Sequence, residues 1–291
     1  MLPLEEIIAR APDGVLCCAP DGRIIEANRK AARILGYRSR ADLARNLAVL
    51  SDAVLAHPKD QAALRLRLAR RGALRNAHVA IRKASGGVAW LRVNARFLRA
   101  SEGGGLLLFQ FNDITRQKLG EHRLRVQATT DALTGLYNRH QFDRLLARQI
   151  AEAQRYGDKL GLLFIDVDKF KEINDAHGHL VGDKVLRGIA RRIAGSIRET
   201  DVCARIGGDE FCVLVNRIRC EEDMQTLAQG IVRAVEQPLP LGGLQLHVRV
   251  SLGIAVYPFD GLGAERLMEH ADHGMYAMKR RQRGPGVLAL A

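Results

Sequence analysis

The sequence predicts an α+β chain of two domains. The first is an antiparallel five-stranded sheet with helices; the second is a ferredoxin-like βαββαβ core with extra helices. Three observations predict this. A length of 291 residues suits two domains of ordinary size. Up to residue 115, strand-like runs separated by glycine turns dominate. From residue 139, long helical periodicities alternate with apolar runs of strand length.

In order along the chain, GVLCCAPDGRIIEAN (14–28) reads as strand, Asp-Gly turn, strand. Asn28 suits the N-cap of a helix over RKAARILGY. RNAHVAIRK (75–83), VAWLRVNARFL (88–98) and GLLLFQFNDIT (105–115) follow as three strands, with SGG and SEGGG as their turns. RQKLGEHRLRVQATT (116–130) is polar and helix-compatible. Leu119 and Val126 stand seven apart in it, an imperfect heptad that predicts a helical connector.

The second half reads as helix 139–156, strand 160–167, helix 183–198, strand 201–206, strand 209–216, helix 221–236, strand 246–257 and helix 265–281. RIGGDEFCVLV (205–215) holds a Gly-Gly pair between apolar runs. This predicts a tight hairpin turn whose central positions favour φ > 0. Asp209 and Glu210 open the second strand of that hairpin, and the residues after them are apolar on both faces. LLFIDVDKF (162–170) is likewise apolar on both faces and ends in Asp166 and Asp168. In a βαββαβ order this strand lies beside the hairpin and brings Asp166 near Asp209. Carboxylates gathered at the end of a buried sheet repel one another unless a cation offsets them. An all-oxygen set of this kind suits Mg²⁺, which keeps substrate phosphates as further ligands.

KEINDAHGHLVGDKVL (171–186) is expected to be a loop marked by Gly178 and Gly182, opening a helix at Asp183. Asn174 and Asp183 suit a purine edge, an amide offering donor and acceptor, a carboxylate accepting from guanine N1–H and the exocyclic amine. His177 and His179 form an HxH with no further ligands at metal-site spacing, and a structural role is expected.

Charge and cysteines narrow the classes. Residues 1–120 carry 21 Lys/Arg against 10 Asp/Glu, and residues 121–291 carry 24 against 22. Of the net charge of +13, +11 therefore belongs to the first half, with Arg65, Arg67, Arg70 and Arg71 on one expected helix. No aromatic interleaving, zinc spacing or helix-turn-helix accompanies it, so a solvated face is expected and no nucleic-acid partner. The five cysteines show no CxxC spacing and read as reduced core residues. With no signal peptide and no apolar run of spanning length, a cytoplasmic location and no membrane association are expected.

Residues 1–115 resemble a PAS sensor domain: two short strands, a helical middle, three long strands and a closing NDIT (112–115). The resemblance implies a regulatory ligand and leaves its identity open. No reactive-cysteine flavin motif is present, and His57 and His78 are single histidines without a partner motif for haem. After the connector (116–130), an expected second domain (131–291) resembles the GGDEF family of diguanylate cyclases over residues 131–285. DALTGLYNRHQF (131–142), DVDKFKEINDAHGHLVGD (166–183), the Gly-Gly-Asp-Glu-Phe run, SLGIAVYP (251–258) and ADHGMYAMKRRQR (271–283) agree with it in order and spacing.

The resemblance implies a cyclase that joins two GTP into cyclic di-GMP with release of two pyrophosphates. It implies Asp166, the Val167 carbonyl and Asp209 as holders of Mg²⁺ (or Mn²⁺), Asn174 and Asp183 as readers of guanine, and Lys279 and Arg283 as triphosphate contacts. Asp209 or Glu210 would help deprotonate the 3′-hydroxyl. Each domain holds one GTP, so turnover implies a homodimer. RETD (198–201) has the spacing of the family's product-binding inhibitory site, which implies roles for Arg198 and Asp201. Gly230 stands where the family often has a second arginine, with Arg233 nearby, so weaker inhibition is expected. Bifunctional relatives append a hydrolase domain, which this sequence does not show. The alternative is an inactive nucleotide-binding signalling module, and such members usually depart from the signature that is kept here.

Overall fold

A computed structural model describes residues 4–47, 55–56, 66–68, 70–99, 104–241 and 244–282. The chain divides into two compact units, Met1–Arg123 and Leu124–Ala291.

The first unit contains α1 (Leu4–Arg10), β1 (Gly14–Cys18), β2 (Ile24–Ala27), α2 (Arg29–Ile34), α3 (Arg40–Asn46), β3 (Ala73–Arg82), β4 (Val88–Arg99) and β5 (Gly105–Asp113). The strands form one antiparallel sheet in the order β2-β1-β5-β4-β3. Leu16, Ile81, Leu91 and Phe111 pack with Ala31, Ile34 and Leu43 of the helices. On another side of β1, Ile8 of α1 meets Val15 and Cys17. Asn28 caps α2 as its sequence position predicts, accepting from the Ala31 N–H.

The same side chain does more than cap. Its Oδ1 accepts from the N–H groups of Val15 and Ala31 at 3.1 and 2.7 Å, and its Nδ2 donates to the carbonyls of Ile8 and Asp13 at 3.1 and 2.8 Å. His78 is exposed, as are Arg67, Arg70 and Arg71; His57 and Arg65 lie outside the described residues. Cys17, Cys18, Cys203 and Cys212 are buried free thiols, and Cys220 is exposed. The connector is a helix, α4 (Thr115–Thr129), with no buried residue; Leu119 and Val126 of the imperfect heptad are exposed.

The second unit contains β6 (Tyr137–Asn138), α5 (Arg139–Tyr156), β7 (Leu160–Val167), α6 (Phe170–His177), α7 (His179–Gly195), β8 (Val202–Arg205), β9 (Glu210–Asn216) and α8 (Glu221–Glu236). It closes with β10 (Leu239–Leu241), β11 (Leu244–Leu246), β12 (Val250–Tyr257) and α9 (Ala264–Gln282). The main sheet runs β12-β7-β9-β8-β6, antiparallel except for the β6–β8 edge. Without that edge, β7, β8, β9 and β12 make the βαββαβ arrangement that the periodicity predicts. Every residue of β7 is buried. Leu163, Ile165, Phe211 and Val213 face one core with Ile189 and Ile231; Leu162, Phe164, Cys212 and Leu214 face another with Phe142 and Leu267.

Three sequence expectations need correction. The segment before Asp183 is not a loop but belongs to two helices, α6 and α7, meeting at Gly178, which has positive φ (+81°). Gly182 therefore lies inside a helix, and that helix runs 179–195 rather than 183–198. The expected strand 246–257 is β12 alone over Val250–Tyr257, with β11 forming a separate small ladder with β10. The hairpin turn spans residues 207–209, closed by Ile206 N–H to the Glu210 carbonyl at 2.9 Å. Neither of its glycines has positive φ. At Gly207 a Cβ would meet only the movable tip of the Glu210 side chain, Oε2 at 2.5 Å.

Candidate active site

Strand register assembles the acids. Asp166 lies opposite Glu210 of β9 on one side and opposite Ser251 of β12 on the other, and cross-strand partners share a face of the sheet. The Val167 N–H donates to the Asp209 carbonyl at 3.1 Å, so Asp209 sits beside the end of β7 as the topology predicts. Asp166 is 7 % exposed, and Lys279 from the last part of α9 donates to its Oδ1 at 2.6 Å. Helix α9 reaches that position because it docks backbone-close on β12. A Cβ at Gly253 would run into the Ala271 carbonyl, and one at Gly274 would meet the Gly253 Cα at 3.3 Å.

Burial pushes the Asp166 carboxyl above its ordinary value; Lys279 pulls it down, while Asp209 and Asp168 push it up again. The Glu210 carboxyl is likewise raised, by burial first and then by Asp166, Asp209 and Asp272, with Arg139 opposing. Asp168 continues the ladder past β7: its N–H donates to the Arg249 carbonyl at 3.0 Å, and its Oδ1 accepts from Ser251 Oγ at 2.7 Å.

A clamp steadies the hairpin. Arg205 donates from Nε and NH2 to the Gly208 carbonyl at 3.1 and 2.6 Å and from NH1 to both oxygens of Asp131 at 3.1 and 3.2 Å. Asp131 Oδ1 also accepts from the N–H and hydroxyl of Thr134. Burial raises the Asp131 carboxyl, but Thr134 and Arg205 outweigh it and hold the value below the ordinary range.

On the other side of the strand end, Asn174 of α6 faces α7. Its Oδ1 is buried without a hydrogen-bond partner among the described residues. Gly182 makes room for it, since a Cβ there would collide with that oxygen. Asp183 follows one residue on and is half-exposed, 4.0 Å from Arg187. His177 and His179 are both exposed.

A family profile described as diguanylate cyclase, GGDEF domain, matches residues 128–285. The chain belongs to the GGDEF family. A PAS-domain profile matches residues 12–116, so a PAS domain precedes the GGDEF domain. The diguanylate cyclase TpbB of Pseudomonas aeruginosa (strain UCBPP-PA14) is 42% identical over 164 residues, 56% of this chain and 38% of that protein. The cyclic di-GMP phosphodiesterase PdeR of Escherichia coli (strain K12) is 34% identical over 191 residues, 65% of this chain and 28% of that one. The chain thus matches well under half the length of these curated relatives. A crystal structure of the coiled coil and GGDEF domain of DgcB from Caulobacter crescentus, in complex with c-di-GMP, matches with a TM-score of 0.53 and 33% identity. That match covers 57% of this chain and 88% of the other.

Within the GGDEF domain no group of three His, Cys, Asp or Glu side chains is arranged to hold a metal ion, among the described residues. The expected set is smaller: two carboxylates, Asp166 and Asp209, and the Val167 carbonyl. Their chemistry fits a hard divalent cation. All the donors are oxygen, and burial first, with the neighbouring acids adding to it, raises the proton affinity of Asp166 and Glu210. Three protein donors leave positions for phosphate and water.

RETD lies beyond α7, not within it. The helix stops at Gly195, and residues 198–201 form a turn in which the Arg198 N–H donates to Asp201 Oδ2 at 3.1 Å. Asp201 Oδ1 accepts from the Asn216 N–H at 3.2 Å and ties this turn to β9. The Arg198 side chain is exposed on a surface cleft of about 420 Å³ shared with Thr130, Tyr137, Ile197 and Glu199. Gly230 and Arg233 lie on α8, where Arg233 is exposed and Nε donates to the Gln229 carbonyl. Arg283 lies outside the described residues. Sequence reasoning missed Ser251, Arg205 and Asp131 as contributors. The RxGGD spacing marks Arg205 as adjacent, but its partner lies 74 residues earlier.

Proposed function

We propose that this chain condenses two GTP molecules into cyclic di-GMP and two pyrophosphates. The observation that carries the reading is the convergence of buried Asp166 with partly exposed Asp209 and Glu210 at one end of the sheet. Each 3′-hydroxyl attacks the α-phosphorus of the other GTP; the bond from that phosphorus to the bridging oxygen breaks and pyrophosphate leaves. Glu210, whose proton affinity burial raises, is suited to take the hydroxyl proton, with Asp209 beside it. Asp166, Asp209 and the Val167 carbonyl would hold Mg²⁺, or Mn²⁺ in its place. Such a cation supplies charge stabilisation at the attacking and leaving oxygens of an in-line displacement.

Asn174 and Asp183 read the guanine edge. Lys279 reaches the triphosphate from α9, and Arg283 follows it in sequence. Because one domain offers one half-site, two copies must face each other, so the working form is a homodimer. The PAS domain, through the helical connector, sets how often the half-sites meet by binding its ligand differently in the two states. RETD binds the product through Arg198 and Asp201 and holds the enzyme back, weakly because Gly230 supplies no second arginine.

The test is incubation of purified chain with Mg²⁺ and GTP or ATP, with products separated by chromatography. Cyclic di-GMP from GTP alone supports the reading. Nucleotide binding without turnover points to a signalling module instead. Arg198→Ala should lose inhibition by added cyclic di-GMP; a variant inhibited as strongly as the parent removes RETD from the site.

A further inference from the structure

Ser251 is a buried polar residue of β12 with no exposed surface, and its hydroxyl is directed at one group, Asp168 Oδ1 at 2.7 Å. The other oxygen, Oδ2, is buried with no hydrogen-bond partner among the described residues. Leaving a buried acceptor unmatched costs roughly 1–3 kcal/mol, more for a charged group. Asp168 as a whole is partly exposed, and an asparagine of the same shape would keep the serine bond without the carboxylate. An orphaned acceptor of this kind calls for a function to explain it.

Its position says what that function is. Asp168 stands two residues beyond Asp166 on an extended ladder, so the two side chains share a face. It also sits at the corner where β7 gives way to α6, before Lys169 in the left-handed conformation (φ +56°), and α6 carries Asn174. We propose that Asp168, oriented by Ser251, is a supporting residue of the cation site. It adds a fixed negative charge beside Asp166 without being one of the expected donors. This rests on the proposed function above. Affinity for a hard cation grows with the negative charge gathered around it, and outer partners of metal ligands typically matter by about 10–100-fold.

The experiment uses the full chain and 3′-deoxy-GTP, which binds but has no hydroxyl to react. Free Mn²⁺ is measured by electron paramagnetic resonance as protein–nucleotide complex is titrated in, alongside thermal melting without nucleotide. Asp168→Asn keeps the shape and the serine bond; Mn²⁺ affinity should fall by about tenfold or more, with the melting temperature kept or raised. Ser251→Ala should weaken Mn²⁺ binding too, and Ser251→Thr should restore it. Wild-type Mn²⁺ affinity in Asp168→Asn overturns the inference. So does weaker binding that comes with a melting temperature several degrees lower, which is the signature of a purely structural role. A parent chain that takes up no Mn²⁺ with nucleotide overturns the metal–nucleotide reading itself, and this inference with it. A parent that binds Mn²⁺ normally beside an unaffected Asp168→Asn overturns the inference alone.

Discussion

In the sheet of the PAS domain, the buried side chain of Asn28 has a partner for each of its hydrogen-bonding directions, two N–H groups on its oxygen and two carbonyls on its nitrogen. At the end of the GGDEF sheet, buried polar groups are treated differently. Asp168 and Asn174 each keep a buried oxygen without a partner, and the proton affinities of Asp166 and Glu210 are raised by burial first and then by other acids nearby. Both sheets have five strands and both bury polar atoms. What separates Asn28 from the acidic strand end is satisfaction: Asn28 is fully matched from within, whereas the strand end leaves acceptors unmatched or opposed, as do Gln141 Oε1 and Asn216 Oδ1 elsewhere in the GGDEF domain. Burial alone would not tell the two regions apart.

The comparison breaks most visibly at Asp209. Asp209→Asn should leave the melting of both units nearly unchanged while cutting cyclic di-GMP formation by more than ~10²-fold, measured as initial rates with GTP and Mg²⁺. Near-normal turnover would place Asp209 with the structural polar groups. The converse substitution is Asn28→Ala. It removes a cap and strands buried N–H and C=O groups, so the first unit should lose about 1–3 kcal/mol in denaturant unfolding. Affinity for 3′-deoxy-GTP should stay at the parent value. A variant that melts like the parent would show that the matched network is dispensable.

The smallest effects are in pH dependence, and their signs differ between the two regions. Asp113 in the PAS domain is pushed up by burial, but the hydroxyl and N–H of Thr115 and the Lys83 ammonium outweigh this and lower it. Its contribution is present above the unfolded value of about 3.9 and is lost as pH falls through the lowered folded value. Asp113→Asn should therefore lower the melting temperature at pH 7, and the gap should close in acid. Glu210 is raised, so its ionised form is less welcome in the fold than in the unfolded chain. The penalty is absent below about pH 4.3 and reaches its full size as pH rises through the folded value. Glu210→Gln should raise the melting temperature at pH 7 and change nothing near pH 4. Parallel profiles for the two variants would contradict the assigned environments.

The sheet and the meeting of Asp166 with Asp209 were legible in the sequence because both depend on short-range pattern plus topology. Strand 160–167 is apolar throughout, helices 139–156 and 221–236 carry clear apolar stripes, and antiparallel order then brings the acidic ends together. Helix α6 was illegible because it is only eight residues long and fully buries none of them, its apolar face being limited to Phe170 and Ile173. The Gly-Gly turn was legible as a turn, although neither glycine takes the positive φ that the pair suggests. Ser251 and Arg205 needed register and long-range pairing, 83 residues to Asp168 and 74 to Asp131, which no local spacing encodes.

The contact between α9 and β12 at Gly253 and Gly274 is made by main-chain atoms. The reach of Lys279 toward Asp166 is therefore gauged by peptide geometry, which every sequence shares, rather than by the size of interleaved side chains. Drift in the surrounding apolar residues can alter how firmly the domain holds together while the span across the acidic end stays constant. A residue larger than glycine at position 253 would reset it, and one at position 274 would press on the same contact.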